Sequence, residues 1–147
     1  MKTLSLSHSP QETEEFGHEL GVLLKSQMTQ SGFVLGLEGD LGAGKTTFVR
    51  GLAASLQISP GDISSPTFTL VNEYASLVHV DLYRLETEND VRMLALEEYV
   101  QPGRLLVIEW PERDPVLLKH LQILVKIKLV SQDQRQIEIV NISPNPS

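Results

Sequence analysis

Four residues in the stretch EGDLGAGKTTF have the types and spacing of a phosphate-binding loop: Gly39, Gly44, Lys45 and Thr46. Glycines at these positions allow the backbone amides to turn inward around an anion. In such a loop the lysine reaches the β- and γ-phosphates of a nucleotide, and the threonine hydroxyl binds Mg²⁺. We therefore predict that the amides of residues 41–46 face the phosphates. The predicted nucleotide-binding residues of the loop are Asp40, Leu41, Gly42, Ala43, Gly44, Lys45, Thr46 and Thr47.

Two acidic residues each end an apolar run and are candidates for a second residue on the metal side of this loop. Asp81 ends the run LVHVD, and Glu109 ends the run LLVIE. A carboxylate buried without a partner is costly, so an acid in this position calls for a cation or a hydrogen-bonded role. The alternative for each acid is a place at the solvent edge of a sheet. The two runs alone leave the division of roles between the acids open.

Thr67 and Trp110 are weaker candidates. Thr67 belongs to a Ser-Pro-Thr element in SSPTFTL, whose position resembles a nucleotide-sensing switch in which a threonine contacts the γ-phosphate or Mg²⁺. An ordinary Ser-Pro turn is the alternative for this element. Trp110 is the only tryptophan of the chain. Its large apolar ring favours a packing role over stacking on a nucleotide base.

The elements around the loop begin with a helix predicted over residues 10–29. Ser9 is its expected N-cap, Pro10 its first residue, and Glu12 the third position of a capping box. An apolar stripe at helical spacing predicts which side chains pack in the core. The stripe consists of Phe16, Leu20, Leu23, Leu24 and Met28.

The remaining runs predict an α/β fold of the P-loop NTPase type. GFVLGLEG is a strand that leads into the loop, and KTTFVRGLAASLQ is the helix that leaves it. TFTLVNEY and SLVHVDLY form a hairpin around Ala75, ETENDVRMLALEEYV a helix capped at Thr87, RLLVIEW a buried strand, and LQILVKIKLV with RQIEIV a second hairpin. The first residues, MKTLSLS, alternate as in a strand. We expect three layers with a mixed central sheet and β-hairpins.

Length and composition predict one domain, residues 1–147, with a frayed tail at 142–147. No apolar run approaches the roughly 20 residues of a membrane span, and the amino-terminal residues do not resemble a signal peptide, so we expect a cytoplasmic protein with no membrane partner. The chain has no cysteine, which excludes disulfides and thiolate metal sites. Its formal charge of −7 is the wrong sign for holding nucleic acid by neutralising phosphates.

Four motifs together resemble the TsaE (YjeE) family of bacterial P-loop ATPases. They are GDLGAGKTTF, SPTFTLVNEY, HVDLYRL and IEWPER, in this order, and they span residues 39–113. The resemblance implies that ATP and Mg²⁺ are the cofactors and that TsaB and TsaD are the partners. In that family these partners install threonylcarbamoyl on adenosine 37 of ANN-decoding tRNAs, and ATP hydrolysis by TsaE supports multiple turnover. The resemblance also implies that the protein is linked to tRNA only indirectly, through its complex with TsaB and TsaD.

The resemblance further implies roles for individual residues. Lys45 and Thr46 would bind phosphate and Mg²⁺, Glu109 would be the other metal-side acid, and Asp81 and Thr67 would be switch or catalytic residues. The adenine would lie near the start of the first helix and the C-terminal hairpin, a position that involves Thr13 and Arg135. The chain departs from the family after DLYRL, where relatives often carry Glu-Glu-Leu and then glycine. It has instead Asn89, Asp90, Val91 and Ala95.

Two other functions are compatible with a phosphate-binding loop. A small P-loop kinase would transfer the γ-phosphoryl to a metabolite, but such enzymes usually carry an arginine-rich lid, and the arginines after the loop are dispersed in this sequence. A nucleotide-dependent protein-binding module would hydrolyse ATP only incidentally. A GTPase is disfavoured because no Asn-Lys-x-Asp sequence occurs.

Overall fold

The computed structural model describes residues 2–66 and 69–141. The predicted switch residue Thr67 and the predicted frayed tail, 142–147, lie outside the described residues. The strands are β1 (Lys2–Ser7), β2 (Phe33–Glu38), β3 (Val71–Tyr74), β4 (Leu77–Asp81), β5 (Leu105–Glu109), β6 (Ile123–Leu129) and β7 (Arg135–Asn141). The helices are α1 (Pro10–Ser31), α2 (Lys45–Ser55), α3 (Glu88–Arg92) and α4 (Pro115–His120).

The strands form one mixed sheet in the order β1-β7-β6-β2-β5-β4-β3. Strands β6, β2, β5 and β4 pair in parallel, whereas β3 and the pair β7 and β1 add antiparallel edges. The strand β5 is buried along its whole length, as the apolar run RLLVIEW predicts for a central strand. Both predicted hairpins, β3 with β4 and β6 with β7, are confirmed.

Helices cover both faces of the sheet, so the predicted three layers are confirmed. On one face α1 and α2 pack against a cluster that includes Leu35, Leu37 and Phe48. On the other face, α3 and α4 flank a second cluster that includes Val80 and Ile108. No helix among the described residues is long and apolar enough to cross a membrane.

The first helix agrees with the sequence in outline and differs in two details. It runs to Ser31, two residues beyond the predicted end. Leu20, Leu24 and Met28 are buried as predicted, but Leu23 is 72% exposed, so its assignment to the core is wrong. Leu23 precedes Leu24 by one residue, which turns its side chain by about 100° away from the buried stripe.

The capping of α1 also follows the prediction only in part. Ser9 Oγ accepts the backbone N–H of Glu12 at 3.1 Å, which confirms the N-cap. The Glu12 carboxylate accepts the backbone N–H of His8 at 3.3 Å, whereas a capping box would place this bond at Ser9. The carboxylate therefore accepts a hydrogen bond from the residue that precedes the N-cap.

The helix predicted from ETENDVRMLALEEYV is wrong as a continuous element. Its start is confirmed, because Thr87 and Asp90 form a complete capping box. The helix α3 ends at Arg92, and the chain then reverses at Ala95, which adopts a left-handed φ of 51° before a short 3₁₀ turn. A left-handed residue interrupts the helical hydrogen bonds, so the remaining apolar residues pack from a separate turn.

Candidate functional site

The glycine loop connects β2 to α2 and leaves the start of the helix open. Gly42 and Gly44 have φ values of 80° and 104°, which residues with a side chain rarely adopt. Gly44 is the N-cap of α2, and no side chain caps this end. The first N–H groups of a helix lack partners within the helix and carry partial positive charge, so an uncapped N-terminus suits an anion.

Lys45 is the first residue of α2 and is 6% exposed. Its ammonium donates a hydrogen bond to the carbonyl oxygen of Gly39 at 2.6 Å and lies 3.7 Å from Glu109 Oε1. It also lies 4.3 Å from the centre of the Trp110 ring. The lysine charge is thus balanced by a carboxylate and an aromatic face, and a phosphate entering the loop would compete with these groups for it.

Asp81 and Glu109 end neighbouring parallel strands and pair with each other in the register of β4 and β5. Each is 3% exposed, which excludes the solvent-edge alternative left open by the sequence. Asp81 Oδ1 accepts the backbone N–H of Tyr83 at 2.9 Å. Because the carboxyl ends of parallel strands meet at one edge of the sheet, both acids lie beside the loop that follows β2.

His79 is a buried residue of this site that the sequence interpretation missed. It is fully buried, and its Nε2 lies 2.5 Å from Glu109 Oε2. A signal was present in the sequence, because His79 precedes Asp81 by two residues and must share its face of the strand. His79 is the first residue of the motif HVDLYRL, but no role was assigned to it from the sequence.

A cleft of about 320 Å³ brings most of the predicted residues together, and we call it the phosphate cleft. It is lined by Leu41, Gly42, Gly44, Lys45, Thr46, Thr47, Ser65, Asp81 and Glu109. Two of the predicted loop residues do not line it. Ala43 is buried and presents its carbonyl oxygen to Arg135, and Asp40 lines a different cavity beside Trp110.

A smaller cavity of about 100 Å³ adjoins the loop at the place predicted for the adenine. It is lined by Ser9, Pro10, Thr13, Gly44, Thr47, Gln132, Asp133 and Arg135. The buried Thr13 hydroxyl lies 2.7 Å from Ser7 Oγ, which itself donates to a backbone oxygen. The Thr13 hydroxyl therefore donates its proton to Ser7 Oγ, and its methyl group lies near Gly44.

Arg135 joins the C-terminal hairpin to the glycine loop. Its Nε donates to the carbonyl oxygen of Ala43 at 2.9 Å. Its Nη1 donates to the carbonyl oxygens of Ser131, Gln132 and Gln134, each at 3.3 Å. The side chain thus fixes the turn between β6 and β7 against the loop, which shapes the smaller cavity from both sides.

Trp110 packs within the protein, as its sequence context favoured. It adopts a left-handed φ of 59° directly after β5. Its ring lies 5.0 Å from the ring of Tyr83 and 5.4 Å from the Arg113 guanidinium carbon. Trp110 therefore lies close to two cations, the buried Lys45 and the exposed Arg113.

Comparison with known proteins gives one consistent result. The family model described as "Threonylcarbamoyl adenosine biosynthesis protein TsaE" matches residues 7–137. The tRNA threonylcarbamoyladenosine biosynthesis protein TsaE of Aquifex aeolicus is 38% identical over 89% of this chain and 90% of its own length. The protein of the same name from Bacillus subtilis is 37% identical over 88% of this chain and 79% of its own. The crystal structure of Bacillus subtilis YdiB superposes with a TM-score of 0.71 and 29% identity, covering 97% of this chain and 87% of that one.

Proposed function

The chain belongs to the TsaE family, and from that premise we propose that it is the ATP-hydrolysing component of tRNA threonylcarbamoyladenosine biosynthesis. The observation that carries the proposal is the phosphate cleft. Within it, a loop lysine, a helix N-terminus, a threonine and two buried acids surround one volume. These groups arise from the ends of three neighbouring parallel strands, where ligands of open α/β sheets bind.

The residues of the cleft fit Mg²⁺. Thr46 offers a hydroxyl oxygen and Glu109 a carboxylate oxygen, and Mg²⁺ is bound in proteins through such oxygens together with substrate phosphates. Asp81 supplies a second carboxylate beside Glu109. When bound, the ion neutralises charge on the β- and γ-phosphates and polarises the γ-phosphoryl group. We assign Thr46 and Glu109 as its protein ligands.

The other residues of the cleft bind and orient ATP. The amides at the start of α2 and the ammonium of Lys45 stabilise negative charge on the phosphates. In hydrolysis a water oxygen bonds to the γ-phosphorus as the bond to the bridging oxygen breaks, and the water gives up a proton to the phosphate that is released. We assign Asp81 to hold this water through its carboxylate, and Thr67 to the switch that senses the γ-phosphate. The ADP oxygen that leaves remains at the loop beside Lys45.

Partner proteins complete the site in this proposal. Lys45 is the only cation among the described residues that line the phosphate cleft. An arginine supplied by a partner raises hydrolysis by about 10³ to 10⁵ in related P-loop enzymes. We propose that the TsaB and TsaD proteins stimulate a slow intrinsic ATPase. The net charge of −7 suits a protein partner better than direct capture of tRNA.

Nucleotide binding is tested first, by thermal unfolding with Mg²⁺ and either ATP, ADP or GTP. A ligand that binds only the native state raises its stability by mass action. We expect a rise in Tm with ATP and ADP, and a smaller rise with GTP. Equal shifts with ATP and GTP would remove the assignment of adenine, and no shift with any nucleotide would contradict the proposal as a whole.

Hydrolysis is tested by measuring ATP turnover for the protein alone, with each partner, with both, and with tRNA alone. Thr46→Ala and Glu109→Gln should lower the Mg²⁺-dependent rate, whereas the control Glu112→Gln, on an exposed neighbour outside the cleft, should not. Stimulation by tRNA alone, or none by the two partners together, would contradict the partner proposal. Recovery of labelled phosphate on a metabolite would show that the protein is a kinase. Normal ATP turnover in Glu109→Gln, with none in Asp81→Asn, would show that the roles assigned to the two acids must be exchanged.

A further inference from the structure

We propose that His79 is a positioning residue for the metal-side acid. Its Nε2–H donates a hydrogen bond to Glu109 Oε2 and holds the other oxygen, Oε1, toward the phosphate cleft. The inference rests on the proposed function, because it assigns His79 to the same site. His79 is placed to act on substrate or metal only through Glu109.

The sheet brings the two side chains together across neighbouring strands. In the parallel register of β4 and β5, His79 lies opposite Val107, and Asp81 lies opposite Glu109. Alternate residues of a strand share one face, so all four side chains face the layer that contains α2. The contact from His79 Nε2 to Glu109 Oε2, at 2.5 Å, therefore runs diagonally between the strands and toward the cleft.

The two oxygens of Glu109 are divided between two partners. Oε2 faces His79, whereas Oε1 lies 3.7 Å from the ammonium of Lys45. Lys45 lines the phosphate cleft, so Oε1 is the oxygen on that side. A hydrogen bond to one carboxylate oxygen fixes the rotation of the group and leaves the other oxygen aimed at the cleft. His79 thus selects the orientation in which Glu109 meets a cation.

The unpaired atom of His79 argues against a purely packing role. In the proposed bond Glu109 Oε2 is the acceptor, so Nε2 is the ring nitrogen that carries the proton. The other ring nitrogen, Nδ1, is buried and has no hydrogen-bond partner within residues 2–66 and 69–141. A leucine of similar size would fill this part of the core without an unsatisfied nitrogen. His79 leaves one nitrogen unsatisfied at this position, but it supplies a hydrogen-bond donor to Glu109.

Two substitutions separate the donor from the volume. His79→Leu keeps a side chain of similar size and removes the donor, whereas His79→Gln supplies an amide N–H at a similar reach. Partners behind a metal ligand typically change metal affinity or activity by about 10- to 100-fold. We expect His79→Leu to raise the Mg²⁺ concentration for half-maximal ADP binding within that range. His79→Gln should recover most of the loss, and the exposed control His120→Leu should have no effect.

The measurement is a Mg²⁺ titration at fixed ADP, followed by the fluorescence of Trp110, together with ADP binding in EDTA. The proposal requires that His79→Leu weaken the response to Mg²⁺ while ADP affinity in EDTA stays within about twofold of the wild type. An equal loss in both measurements, or no recovery in His79→Gln, would show a structural role and overturn the proposal. Failure of the wild-type protein to bind ADP with Mg²⁺ would instead overturn the proposed function.

A second measurement tests the hydrogen bond without any variant or nucleotide. The ¹⁵N chemical shifts of the imidazole identify which ring nitrogen carries the proton in the wild-type protein. We expect His79 to carry its proton on Nε2 with Nδ1 unprotonated, and a strongly downfield Nε2–H resonance. A proton on Nδ1 alone would contradict the donor assignment even if the protein binds ATP as proposed.

Discussion

Replacing Gly51 with alanine is expected to force apart α1 and α2, the two helices that flank the proposed nucleotide site. Gly51 lies on α2 where it crosses α1, and a Cβ atom at this position would meet the carbonyl oxygen of Glu14 at 1.9 Å. The backbone nitrogen of His18 would lie only 2.8 Å away. Both obstacles are backbone atoms, so no side-chain rotation can relieve the contact, and the helices themselves must move.

The size of the effect follows from two opposing terms. Alanine is favoured over glycine within a helix by about 1 kcal/mol, which alone would stabilise α2. Overpacking typically costs about 1 to 3 kcal/mol, and here the contact must open from 1.9 Å to at least 3.4 Å, which separates well-packed side chains on both helices. Because the contact must open by about 1.5 Å, we expect an overpacking cost at the upper end of this range, about 3 kcal/mol, and a net fall in the free energy of unfolding of about 2 kcal/mol.

Urea unfolding followed by circular dichroism measures this free energy. The matched control is Gly61→Ala, because the nearest atom to a Cβ at Gly61 is Ser59 Oγ at 4.0 Å. The control should change stability by less than about 0.5 kcal/mol. If Gly51→Ala were as stable as the wild type or more so, the close approach of the two helices would be refuted, together with their role in placing the loop.

Three further predictions concern single positions. Ala95→Gly should raise the free energy of unfolding by about 0.5 kcal/mol or more in the same urea assay. Ala95 adopts a left-handed φ, which glycine tolerates without strain. A lower free energy of unfolding in the variant would contradict the left-handed conformation at this position. Leu24→Ala should lower the free energy of unfolding by about 3 kcal/mol, because Leu24 is only 2% exposed. Leu23→Ala should lower it by less than about 0.5 kcal/mol, because Leu23 is 72% exposed. Equal losses of stability in the two variants would contradict the orientation of α1. ADP binding should change the fluorescence of Trp110 as Lys45 turns from its ring to the phosphates, and Lys45→Met should abolish the change; a nucleotide-induced change that persists in the variant would refute this coupling.

Local patterns in the sequence predict those parts of the fold that depend on neighbouring residues. The strand, loop and helix around Lys45 are encoded within residues 33–55, and the cap at Thr87 within four residues. The continuous helix predicted after Thr87 fails because its apolar spacing does not reveal the left-handed turn at Ala95. The prediction that Leu23 lies in the core is wrong because apolar spacing alone does not show where the buried stripe of a helix ends.

The candidate site is predictable as a set of residues and not as a set of contacts. Asp81 and Glu109 were recognisable because each ends an apolar run. The bond between His79 and Glu109 depends on the parallel register of β4 and β5, which are joined through α3 and are separated by more than twenty residues. Register of this kind is fixed by packing of the whole sheet, so the sequence shows the alternation of His79 and Asp81 without showing their partner.

The proposed function is tested as a whole by multiple-turnover threonylcarbamoylation of tRNA by TsaB and TsaD, with ATP and a threonylcarbamoyl donor supplied. The amount of modified adenosine formed per TsaD is measured with the wild-type chain, with Lys45→Ala, and without this chain. We predict many turnovers with the wild type, and no more turnovers with Lys45→Ala than without this chain, because we assign the loop lysine to ATP binding. Equal turnover in all three reactions, or full turnover with Lys45→Ala, would contradict the central claim that ATP at the phosphate cleft supports the modification.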